Sequence, residues 1–132
     1  MGIDIVDVER FAAAVARRGD RLLARLFTDG ELAYCRARRR AEVHLAARFA
    51  AKVSLLKALG GSAAAPAAGG RPGWRDVEVV PGPMGRPVFR FIGRTPGGGR
   101  LRFNLTIAHD GGLSVAETVA EGPGGQECSG GL

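Results

Sequence analysis

The hydrophobic period changes once along the chain, and that change limits the folds open to it. Up to Leu59 apolar residues recur at helical spacing, whereas beyond Pro72 they fall in short alternating runs. Ser62 to Pro72, an Ala/Gly/Pro stretch with no period, divides the two regimes. The pattern predicts an α+β domain, with helices first and then an antiparallel meander packed on one long core helix. Residues 1–120 are expected to form a single domain, and the glycine-rich residues 121–132 a disordered tail.

Gly2 to Val8 reads as an opening strand of β-branched residues, with Asp4 on one face and Asp7 on the other. Val8 to Arg18 follows as a helix stopped by Gly19. Thr28-Asp29-Gly30-Glu31 is a capping box opening a helix that should run to about Arg39. Glu42 to Leu59 is the longest helix, with Leu45, Phe49, Leu56 and Leu59 on its apolar side. Strands are expected at 76–80, 88–92, 101–108 and 114–120.

The formal charge of +6 and pI near 10.6 favour an acidic protein or a phosphate-bearing ligand. Nucleic acid fits poorly, because one Trp and one Tyr leave the arginine cluster without interleaved aromatics. Cys35 and Cys128 have no metal-ligand spacing, and a reduced protein is expected. No apolar run approaches a membrane span, and no basic leader precedes the first strand, so a cytoplasmic protein is expected.

Asp4 stands out in an apolar strand, since a buried carboxylate needs a metal, a cation or several donors. Arg48, Lys52 and Lys57 put three cations on the core helix, either as an anion site or as stems covering the core. His109 ends an apolar strand, where a structural role and a chemical one are both open.

These residues fall into ordered motifs. Gly2-Ile3-Asp4-Ile5-Val6-Asp7-Val8-Glu9-Arg10-Phe11 resembles the opening motif of the bacterial holo-acyl-carrier-protein synthases. Phe49-Ala50-Ala51-Lys52-Val53 with Lys57 resembles their second motif, and Phe27-Thr28 to Glu31, Leu59-Gly60, Gly85-Arg86-Pro87 and Ala108-His109-Asp110 follow in family order. The resemblance implies a small α+β protomer of the 4′-phosphopantetheinyl transferase fold, usually a homotrimer with active sites between subunits. It implies transfer of 4′-phosphopantetheine from coenzyme A to a serine of an acidic acyl or peptidyl carrier protein, with Mg²⁺ as cofactor. Asp4, Lys57 and His109 would then be catalytic, with Asp4 the metal ligand. Arg48, Lys52, Lys57, Gly85, Pro87 and His109 would hold coenzyme A. Arg10, Arg36, Arg38, Arg39 and Arg40 would face the carrier protein.

The pattern breaks at Val53, where the family has glutamate, because an isopropyl group offers Mg²⁺ no oxygen. The expected Mg²⁺ site is therefore weak or absent. Asp7, on the other face of its strand, and Glu42, too far up the helix, are poor substitutes. Relatives carry a helix where this chain has only Arg94 to Arg100, and a serine where it has Ala108. Two further functions fit these departures. One is a metal-independent acid/base enzyme of a carrier-protein-dependent polyketide pathway, using Asp4 and His109 for cyclisation, dehydration or Michael-type addition. The other is a non-catalytic binder of a carrier protein or coenzyme A.

Overall fold

A computed structural model describes residues 1–60 and 71–122 of the chain. The linker from residue 61 to 70 and the tail from 123 to 132, including Cys128, lie outside the described residues. The element order is β1 (Gly2–Asp7), α1 (Val8–Arg18), α2 (Asp20–Leu26), α3 (Asp29–Arg36), α4 (Ala41–Ala58), β2 (Val77–Pro81), β3 (Pro87–Phe91), β4 (Arg102–Asp110) and β5 (Leu113–Glu121). Each expected element is present. The class is α+β.

Local chemistry sets the helix ends. The Asp7 carboxylate accepts from the Arg10 backbone N–H at 3.0 Å and caps α1. Gly19, at φ 69°, ends α1 and begins α2. α2 was not expected from the sequence; it is one of the shortest helices, and only Leu23 and Leu26 are buried in it. Both halves of the Thr28–Glu31 capping box form. α3 ends at Arg36 rather than Arg39, and Arg40 takes a left-handed conformation that redirects the chain into α4.

Strand order in the main sheet is β1-β5-β4, antiparallel throughout, so the first strand pairs with the last. β2 and β3 form a separate hairpin. The single meander is thus corrected to two sheets. The hairpin joins the core through Phe91, 5.2 Å from the Phe103 ring of β4. Between β3 and β4 the chain makes only a 3-10 turn at Pro96–Gly99, in keeping with the missing helix.

α4 lies on β1 and β5, and small residues allow it to approach closely. Ala46, Ala50, Ala51, Ser54 and Ala58 are fully buried, and the Ser54 hydroxyl shares a 2.6 Å hydrogen bond with Thr118 on β5. Gly2 sits directly under this helix. A Cβ there would collide with the Ser54 carbonyl and lie 2.6 Å from the Ala58 nitrogen. Gly2→Ala should therefore cost about 1–3 kcal/mol by pushing β1 off α4. Urea denaturation measures this, and an unchanged midpoint would show that the helix shifts freely.

Candidate active site

An α-helix turns about 100° per residue, so Val53 and Lys57 lie about 40° apart on α4, while Arg48 and Val53 lie about 140° apart. Two clefts accordingly flank the helix. The first, about 570 Å³, is lined by Asp4 to Asp7, Arg10, Phe11, Phe49, Val53 and Leu113. At its edge the Lys57 ammonium donates to the Ile3 carbonyl at 3.0 Å and to Asp4 Oδ1 at 3.3 Å. The Asp4 side chain is 17% exposed and that of Lys57 54%. Asp4 and Asp7 reach the same cleft although they leave opposite faces of β1, because Asp7 stands at the strand end and caps α1.

The second cleft, about 230 Å³, gathers Tyr34, His44, Arg48, Gly85, Pro87 and His109. Four residues singled out as coenzyme A contacts thus come together from α4, the β2–β3 turn, the start of β3 and β4. Gly85 has φ 74°, a left-handed conformation that suits glycine. Arg48 is buried; one guanidinium nitrogen donates weakly to the His44 carbonyl at 3.4 Å, and its buried Nε has no protein partner. The Arg38 and Arg48 guanidinium groups both stack on the Tyr34 ring, 3.3 and 4.3 Å from its centre. Tyr34 and His44 were missed in the sequence. Their signal is the i,i+4 spacing to Arg38 and Arg48.

Burial, reinforced by Arg48, Arg38 and His109, pushes the His44 imidazole below its usual 6.5, with Glu42 opposing. Above 6.5 the folded and unfolded chains both carry a neutral His44. As pH falls below that value the unfolded chain takes up the proton first, so stability declines with acid. His44→Gln should flatten this decline, measured as Tm between neutrality and mild acid; an equally steep fall in the variant would assign the acid sensitivity elsewhere.

Lys52 lines neither cleft. Its side chain is 1% exposed, and its ammonium donates to the Leu26 carbonyl at 2.9 Å, Glu31 Oε1 at 2.6 Å and the Trp74 carbonyl at 2.6 Å. All three donors are engaged inside the fold, which corrects the expectation that this lysine contacts coenzyme A. Lys57, five residues on, lies about 140° around the helix, so the three cations form no continuous row.

The arginines also divide. Arg10 lines the first cleft. Arg36 pairs with Asp20 at 3.5 Å, and Arg40 lies 3.8 Å from Glu42. Arg38 covers Tyr34, and Arg39 is exposed. Cys35 is buried and free, with burial raising its thiol pKa.

Asp4 and His109 form no acid/base pair within one copy. Asp4 is in register with Ala116 and Ile107, whereas His109 is in register with Ser114, which faces Val6. One strand intervenes, about 10 Å of sheet, and each side chain enters its own cleft.

The family pattern of the 4′-phosphopantetheinyl transferase superfamily matches residues 1–107. The chain belongs to this family. Among curated relatives, the holo-[acyl-carrier-protein] synthase of Koribacter versatilis is 40% identical over 126 residues, covering 91% of this chain and 95% of the relative. That of Frankia casuarinae is 44% identical over 127 residues, with 92% and 95% covered. Among solved structures, the synthase from Neisseria meningitidis superposes with a TM-score of 0.73 at 26% identity, covering 91% of this chain and 95% of that one. The Bacillus anthracis synthase in complex with CoA (3′,5′-ADP) gives 0.68 at 25% identity, with 90% and 92% covered. The family fold therefore spans both clefts. No described helix is long and apolar enough to cross a membrane.

Proposed function

We propose that this chain transfers the 4′-phosphopantetheine arm of coenzyme A to a serine of an acidic carrier protein, at sites completed between copies of the chain. The observation that carries this reading is the second cleft. A buried arginine with an unpartnered Nε stands there beside His109 and the Gly85–Pro87 turn, in a member of this family. Anionic phosphates supply the acceptor that Arg48 lacks.

In the reaction, the serine oxygen forms a new bond to the β-phosphorus and the pyrophosphate P–O bond breaks. 3′,5′-ADP leaves with the bonding electrons, and a base accepts the serine proton. Catalysis of this kind depends on positioning and on fixed cations near the developing charge. Arg48 and His109 would hold the nucleotide end and Lys57 the transferring phosphoryl group. Arg10 and the exposed Arg39, in a chain of net charge +6, would steer an acidic partner in the cytoplasm.

The two clefts open on opposite flanks of α4, which suits a site built from one cleft of each of two neighbouring copies. An apolar surface is available for assembly: Ile3 is 43%, Ile5 60% and Leu113 42% exposed on the outer face of the sheet. The assembly proposed is the homotrimer common in the family. Ile5→Glu should convert it to monomers in light scattering, and an unchanged mass would move the interface elsewhere.

Mass spectrometry of an apo carrier protein incubated with coenzyme A tests the activity. The carrier should gain one phosphopantetheine. No gain across the carrier proteins of the source organism would sink the proposal.

A further inference from the structure

We infer that Lys57 supplies the fixed positive charge in the first cleft that the family resemblance assigns to a divalent ion, so that transfer here needs no metal. This deepens the transferase reading above and rests on it. Mg²⁺ demands near-octahedral oxygen ligands, usually with carboxylates among them. On α4 the position facing Asp4 is Val53, whose side chain has no donor atom.

One oxygen of each remaining carboxylate is already engaged. Asp4 Oδ1 lies 3.3 Å from the Lys57 ammonium, which is anchored a second time by the Ile3 carbonyl at 3.0 Å. Asp7 Oδ1 accepts the Arg10 N–H as the cap of α1, and the Arg10 side chain lines the same cleft. Two cations, Lys57 and Arg10, thus stand at the same cleft as the two carboxylates, so the protein itself brings no excess negative charge there to draw in a dication. Among the described residues there is no group of three His, Cys, Asp or Glu side chains that could hold a metal ion.

Lys57 is well placed for the substitute role. Two of its three N–H groups bond to β1, which fixes the ammonium, and its half-exposed side chain leaves the third free for a phosphate oxygen. An incoming divalent ion would have to displace this ammonium from Asp4. The ion and the lysine compete for one carboxylate.

Mn²⁺ titration followed by electron paramagnetic resonance of the free ion provides the test, run on the parent protein, Val53→Glu and Lys57→Gln, alongside transfer assays with and without EDTA. The parent should take up no Mn²⁺ and should lose no transfer activity in EDTA. Val53→Glu should gain one Mn²⁺ per site, and Lys57→Gln, which frees Asp4, should take up more than the parent. Stoichiometric uptake by the parent, loss of its transfer in EDTA, or no gain in both variants would overturn the inference. Absence of transfer under every condition would instead reject the transferase reading, and the Mn²⁺ titration would still decide whether the cleft holds a metal.

Discussion

Lys52→Ala should remove about 3–5 kcal/mol of stability, because it leaves Glu31 charged and buried without its cation. The Glu31 side chain is fully buried, and besides Lys52 it accepts from the Thr28 and Val79 backbone N–H groups, at 3.0 and 2.9 Å, and weakly from the Thr28 hydroxyl at 3.5 Å. A small domain has about 5–15 kcal/mol in total, so the loss is a large share of the whole. Four parts of the fold meet at this ammonium: the end of α2, the start of α3, the middle of α4 and the segment before β2. Burial lowers the Lys52 pKa, and the Glu31 carboxylate opposes that shift. Urea midpoints measure the effect. Lys52→Met combined with Glu31→Gln should recover much of the loss, since no unpaired charge then remains inside. A Lys52→Ala protein of parental stability that cannot transfer would return this lysine to the active site.

Lys57→Ala should behave in the opposite way, lowering kcat/KM by about 10²–10³ while leaving Tm unchanged. Its pair with Asp4 is half open to water, and such pairs add little to stability. Lys57→Arg should restore part of the activity by keeping a cation there. A variant that loses stability and activity together would make Lys57 a structural residue.

These two lysines also show how far the sequence could be read. Period and capping chemistry were enough to find α1, α3, α4 and four late strands, because those signals are local. α2 escaped because a seven-residue helix with two buried leucines offers scarcely one period. The split of the sheet escaped because the pairing of β1 with β5 joins residues more than a hundred positions apart. In the candidate site, Asp4, Gly85, Pro87 and His109 stood out from motif order and Arg48 as one of three cations on the core helix, and the fold places each of them at one of the two clefts. Spacing put Lys52 beside Arg48 on the helix surface, but spacing does not reveal what covers a face. Here the end of α2 and the Trp74 segment cover Lys52, while Arg48, one turn earlier, stays at a cleft. Tyr34 shares an i,i+4 spacing with Arg38, but its approach to Arg48 is tertiary, made by the turn between α3 and α4.

The claim that joins the two clefts is that they serve one reaction across neighbouring copies. Co-expressing Lys57→Ala chains with His109→Ala chains, and assaying carrier-protein modification by the mixed assemblies, examines it most directly. Each variant alone should be nearly inactive, and the mixture should regain activity wherever an intact Asp4–Lys57 cleft meets an intact Arg48–His109 cleft. A mixture as inactive as its two parents would place both clefts of one reaction within a single copy and contradict the account.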